Sequence, residues 1–251
     1  MTTPTVYLFA ISHYCEKALF ALDYFGIDHR AVPLAPGAHI KFCRNLGLDD
    51  TSLPVLVDGE FVLQGSAQIV DWAQARNTAP ELSLEAEADT DACREIEKRL
   101  DRIFGVHLRR YYYSEALLQQ PGRVRPIFCR GLRWREQLVV RIAWGRICQA
   151  MIRGLDLGPE QGLESKQIIE TELAWLDGIL ADGREFLVGN RLSRADLAAA
   201  SLVSPLALPP EHPTYRSLTI PPGVAADLSD WRQRPSLRWT REIYRRYRSP
   251  A

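Results

Sequence analysis

Ser12-His13-Tyr14-Cys15 joins an apolar run to a helical pattern, and its residue types can do two kinds of chemistry. A serine at a helix start can cap the helix. It can also aim its hydroxyl at an anion drawn by the unpaired N–H groups and partial positive charge found there. The spacing to Cys15 is that of a redox Cys-x-x-Cys pair whose first, exposed nucleophile is replaced by serine. Disulfide exchange needs that missing thiol, so Cys15 is expected as an inert core residue. His13 is expected as an exposed loop histidine near whatever the serine binds.

The elements that must hold this tetrad can be read from periodicity. Val6 to Ile11 is rich in β-branched and aromatic residues and predicts a buried strand. From Cys15 onward, Ala18, Leu19, Leu22 and Phe25 recur at helical spacing, and Gly26 ends the pattern. His29 to Leu34 predicts a second strand, parallel to the first because one helix separates them. Pro36-Gly37 marks a turn, and Ala38 to Leu46 is expected to be irregular. Leu53 to Leu63 predicts two strands joined at Asp58-Gly59, a strong hairpin signal, with Pro54 tolerated at the strand head. Ser66 is expected to cap a third helix carrying Ile69, Val70 and Ala73.

Asn77 to Ser83, a polar stretch containing Pro80, is the expected boundary between a unit at 1–77 and an all-helical unit at 84–251. Helical faces are predicted from Ile96, Leu100, Ile103, Phe104, His107 and Leu108. A second comes from Val139, Ile142, Ala143, Ile147, Ala150 and Met151, and a third from Ile169, Leu173, Leu176 and Leu180. Ser193 with Asp196 predicts a capping box, flanked by the Leu192 and Leu197 staple. Pro209-Pro210 should end that helix, and two helices, near Val224–Gln233 and Pro235–Tyr247, should follow.

Composition narrows the function classes. The 251 residues are 46% hydrophobic and 25% charged, which suits a soluble protein with an ample core. The 31 basic and 31 acidic residues balance, so bulk charge points to neither a nucleic-acid nor a membrane partner. No apolar run reaches spanning length and the first residues lack a secretory pattern, so a cytoplasmic setting is expected. The five cysteines are odd in number and widely spaced, which argues against a disulfide framework and against a metal site.

A β-α-β then β-β-α half followed by helices resembles the cytosolic glutathione transferases. Tyr7 to Leu22 is similar to the first strand and helix of the serine-type classes. Leu53-Pro54 resembles the family's hydrophobic-plus-cis-proline step, and Gln64-Gly65-Ser66 its Glu-Ser pair. Gly189 to Asp196 resembles the capping motif of its second domain. The resemblance implies an α/β thioredoxin-like N-terminal domain and an all-α C-terminal bundle. It also implies glutathione as co-substrate, no metal, a small electrophilic or hydrophobic second ligand, a homodimer and a role in detoxification. The class would be theta-like or an outlying bacterial-like one. Gly65 departs from the family by removing an acidic or amide side chain that helps hold the glutamyl amine, and Pro205 to Pro222 is unusually proline-rich.

On that resemblance Ser12 is the expected catalytic residue. Lowering a thiol pKa from ~8.5 by two needs about 2.7 kcal/mol of thiolate stabilisation. A charge-assisted hydroxyl donor supplies roughly 1.5–3 kcal/mol and a helix N-terminus about 0.3–1. Glutathione is expected against Leu53 and Pro54 through strand-like main-chain bonds. The Gly65-Ser66 step, with Ser66 starting the third helix, should take its γ-glutamyl end. His39 either meets the glycine carboxylate or is solvated, with Lys41 a weaker candidate. His13, Tyr111 and Tyr112 are candidates for the electrophile pocket. Three consecutive helical tyrosines point about 100° apart, so one or two can face one cavity. The Arg123–Arg135 cluster reads as a solvated face before an acidic-substrate site, and Trp72, Trp144 and Trp175 as core. The alternatives are a non-catalytic glutathione or hydrophobic-ligand binding protein, and an interaction module that kept the fold without activity.

Overall fold

The structure, a computed structural model, describes residues 3–84, 90–215 and 218–248. Strand β1 (Thr5–Leu8) buries Val6 and Leu8 on one face, as the period of two requires. It pairs in parallel with β2 (Arg30–Pro33) across helix α1 (His13–Tyr24). On its other side β1 pairs antiparallel with β3 (Val55–Asp58), which forms a hairpin with β4 (Phe61–Gln64). Gly59 at φ 63° makes the hairpin turn. The sheet order is β2-β1-β3-β4, and α3 (Ser66–Ala75) packs beside α1.

Two expectations change here. The first strand stops at Leu8, because Phe9 to Ile11 leave the sheet in a turn closed by the Ser12 N–H to the Phe9 carbonyl at 3.0 Å. The stretch after Gly37 is a helix, α2 (Ala38–Asn45). Its one buried residue is Cys43, with Phe42 against Tyr7 and His39 edge-on to Phe9. Short and mostly polar, it is held by these ring contacts rather than by a wide apolar stripe.

The remaining elements are helical. They are α4 (Thr90–Arg99), a π turn (Leu100–Phe104), α5 (Gly105–Gln119), α6 (Pro121–Phe128), α7 (Trp134–Gly154) and α8 (Pro159–Ile179). After them come α9 (Arg194–Ala207), α10 (Pro222–Trp231) and α11 (Pro235–Tyr247). The wider spacing of the π turn rotates Ile103 to the surface while Leu100, Phe104 and Leu108 stay buried. On α7 the buried face is Val140, Trp144 and Cys148, so Val139 and Ile142, expected inward, are 63% and 78% exposed. At the start of α9, Asp196 accepts from the N–H groups of Ser193 and Leu187, and its backbone N–H reaches the Ser193 hydroxyl. The capping box therefore also fixes the loop before it.

Three apolar clusters hold the molecule. One joins α5, α8, α9 and α10. A second mixes β1, α1 and α3 with Leu197, Ile243 and Tyr244, so both lobes share it. A third brings α6 and α7 against the end of α5 and against Ala35 of the sheet lobe. No described helix is long and apolar enough to cross a membrane.

Candidate active site

Ser12 is the N-cap of α1, and its Oγ accepts the Cys15 N–H at 3.3 Å. Capping uses the oxygen as acceptor, so the hydroxyl can still act as a donor. Ser12 is half-buried on the wall of a cavity of about 840 Å³. Cys15 lies behind it, 1% exposed in the second cluster, and burial pushes its thiol up to about 11. A thiol so disposed is a poor nucleophile at neutral pH.

His13 is buried, not an exposed loop residue, and it still reaches the cavity wall. Its Nε2 stands 3.1 Å from the Gly105 carbonyl, which requires the proton on that nitrogen. Burial first, and the Arg109 charge second, hold its pKa down at about 3, so the ring is neutral. The Tyr14 hydroxyl donates to the Asp101 carbonyl at 2.6 Å. Helix α1 thus gives one donor to the π turn, at Asp101, and one to the start of α5, at Gly105. A Cβ on Gly105 would meet the Tyr14 hydroxyl at 2.5 Å, so this close approach requires glycine. Beneath the contact, buried Lys17 pairs with Glu97 at 3.1 Å and Asp101 at 2.6 Å, while Arg194 binds Glu97 and Asp71.

The Leu53-Pro54 bond is cis, and Leu53 lines the cavity together with Ser52. Gln64 sets that loop, donating to the carbonyls of Asp50 at 3.0 Å and Ser52 at 2.8 Å. Pro54 is buried, and its carbonyl accepts the Gly65 N–H at 3.0 Å. Pro54, Gly65 and Ser66 stand outside the lining. Gly65, not Ser66, is the N-cap of α3, and Ser66 is its first helical residue. The first intrahelical bond runs from Ile69 to Gly65, leaving the N–H groups of Ser66 to Gln68 without helical partners. Gly65 has φ 102°, and a Cβ there would lie 2.3 Å from Gln68 Oε1. The Gln68 amide thus folds back over the glycine that departs from the family pattern.

His39 lines the cavity, accepts the Gly37 N–H at Nδ1, and is held below its usual pKa by burial. Of the three tyrosines, Tyr112 and Tyr113 line the cavity. Tyr111 does not: its hydroxyl donates to Asp227 at 2.5 Å and its ring packs on Trp231. Helical phase explains this, because Phe104, Leu108 and Tyr111 share the core stripe. Arg109 and Tyr113, four residues apart, share the stripe that faces the cavity. Tyr113 was one of the three tyrosines weighed for the cavity from the sequence; Arg109 and Gln64 were not singled out for this site, although the phase of α5 contains the signal for Arg109. The cysteines are all free thiols, and among the described residues no group of His, Cys, Asp and Glu is placed to hold a metal.

Residues 6–81 match the glutathione S-transferase N-terminal domain family. The fold of the whole chain agrees. It is similar to glutathione transferase GSTFuA3 from Phanerochaete chrysosporium, with 17% identity, a TM-score of 0.64, and 98% of each chain covered. The glutathione-bound theta class glutathione S-transferase from Xanthomonas axonopodis pv. citri is 18% identical with a TM-score of 0.60, covering 95% of this chain and 96% of that one. A glutathione S-transferase from Sinorhizobium meliloti 1021 is 20% identical with a TM-score of 0.57, covering 100% and 96%. No curated protein sequence matches the chain significantly.

Proposed function

We propose that the protein is a glutathione transferase-type enzyme in which Ser12 holds the glutathione thiolate for attack on a small electrophile. The observation that carries this is the Ser12 hydroxyl on the cavity wall at the α1 N-terminus, with the buried Cys15 behind it. Ser12 donates its proton to a hydrogen bond and is not itself consumed. The thiolate is the nucleophile, and the helix N-terminus adds a smaller stabilisation. Leu53 offers its main chain to the cysteinyl segment, and the unpaired N–H groups at Ser66 suit the γ-glutamyl carboxylate. Gln68 is proposed to supply the polar contact that Gly65 lacks. A neutral His39, with its Nδ1 engaged, keeps Nε2–H for the glycine carboxylate. The homodimer, the cytosolic setting, the detoxifying role and a theta-like or outlying class rest on family resemblance.

Calorimetry with millimolar glutathione tests the binding, and absence of heat from a specific site ends the enzyme assignment. With binding in hand, Ser12→Ala should raise the apparent pKa of the bound thiol, read from its ultraviolet thiolate band, by about one or more. An unchanged value removes Ser12 as the activator and leaves a ligand-binding protein.

A further inference from the structure

The described residues lining the cavity include one arginine or lysine, Arg109, and one aspartate or glutamate, Asp50. Arg109 differs from its neighbours in being unspent. Arg110 is paired with Asp156 and Glu164, and the hydroxyls of Tyr14, Tyr111 and Tyr112 are given to Asp101, Asp227 and Pro205. Among the described residues, the Arg109 guanidinium and the Tyr113 hydroxyl have no hydrogen bond or ion pair within the chain. Their four-residue spacing on α5 puts both on one helical face. The Arg109 charge is felt at His13, Tyr14 and Tyr113, at the cavity end nearest Ser12. Burial raises the Tyr113 phenol well above its usual range, so it remains a donor.

On the α6–α7 side the wall is apolar. Ile11, Val124, Phe128, Ile147, Met151 and Leu155 line it, mostly from the third cluster. A free guanidinium and a free phenol beside an apolar wall match a ligand with an acidic group at one end of an apolar body. Glutathione's own carboxylates are expected elsewhere, at Ser66 and His39 on the sheet lobe, whereas Arg109 belongs to the helical lobe. We propose that the second substrate is an aromatic acid whose carboxylate is held by Arg109 and Tyr113 while its ring system fills the α6–α7 side of the cavity. This rests on the glutathione transferase assignment above.

Paired calorimetric titrations of the full chain test it, using naphthalene-2-carboxylate and naphthalene-2-carboxamide with and without saturating glutathione. The carboxylate should bind about tenfold or more tightly than the amide, the size expected of a charge-assisted pair. Arg109→Gln should bring the two within about twofold while leaving the amide's affinity unchanged, and Tyr113→Phe should cut the preference by roughly threefold. Equal affinities in the unaltered protein, or a preference that survives Arg109→Gln, overturn the proposal. So does an Arg109→Gln variant that keeps the preference and loses glutathione, because Arg109 then serves glutathione instead. Loss of glutathione binding by the unaltered protein sinks the transferase assignment, and the glutathione-free titrations tell that failure apart from this one.

Discussion

At the scale of single residues, burial decides which polar groups are chemically available. Ser12 keeps its proton at the cavity wall, whereas Cys15, three residues on, is sealed in the core. Their types and spacing were readable from the sequence, and the strand-to-helix junction was enough to separate them. Tyr111 was less readable, because a one-residue change of phase on a helix turns a side chain from cavity to core. His212, unremarked in the sequence, is buried 3.5 Å from Glu16 and stacked on Tyr215 at 3.7 Å. Burial holds its pKa down at about 4. The unfolded chain takes a proton on this ring below about pH 6.5, and the folded chain refuses it until about 4. Its contribution to stability is therefore intact above 6.5 and lost as the pH falls, by about 2 kcal/mol at pH 5. Urea unfolding of His212→Gln should show a drop between pH 7 and pH 5 smaller than that of the unaltered protein by about this amount. Parallel profiles would show that His212 does not carry the acid sensitivity.

At the scale of elements, the site depends on a match between α1 and the π turn. His13 and Tyr14 give their donors to Gly105 and Asp101, and Gly105 makes room for them. Gly105→Ala should cost about 1–3 kcal/mol by overpacking. In a Tyr14→Leu background, thermal unfolding should show at least half of that penalty relieved, a coupling that distinguishes a local clash from a general helix effect. If the penalty is the same in both backgrounds, the close approach does not set the requirement for glycine. The hairpin, the capping box and the last two helices were legible because each is written in a few local residues. The π turn and α2 were not. One is a local change of hydrogen-bonding register inside a helix, and the other is held by rings from β1 and the following turn.

At the scale of the whole molecule, the two-lobed architecture was legible in the order of elements, but the ties between lobes were not, since they join residues far apart in the chain. Glu16 on α1 is buried and accepts from Tyr244 at 3.1 Å and from Arg248 Nε at 2.8 Å, and Arg248 also reaches Asp23. Arg248→Met leaves the Glu16 carboxylate buried without its cation and should cost about 3–5 kcal/mol in urea unfolding. Adding Glu16→Gln should restore part of the loss, and failure to do so would assign the effect to lost packing. The partners of Glu16 come 228 and 232 residues later in the chain. A ribosome therefore releases the sheet lobe long before the groups that bind Glu16 exist. Until α11 arrives, the helix that begins at Ser12 must stay hydrated or be shielded by another protein, so the order of synthesis sets when this site can first close.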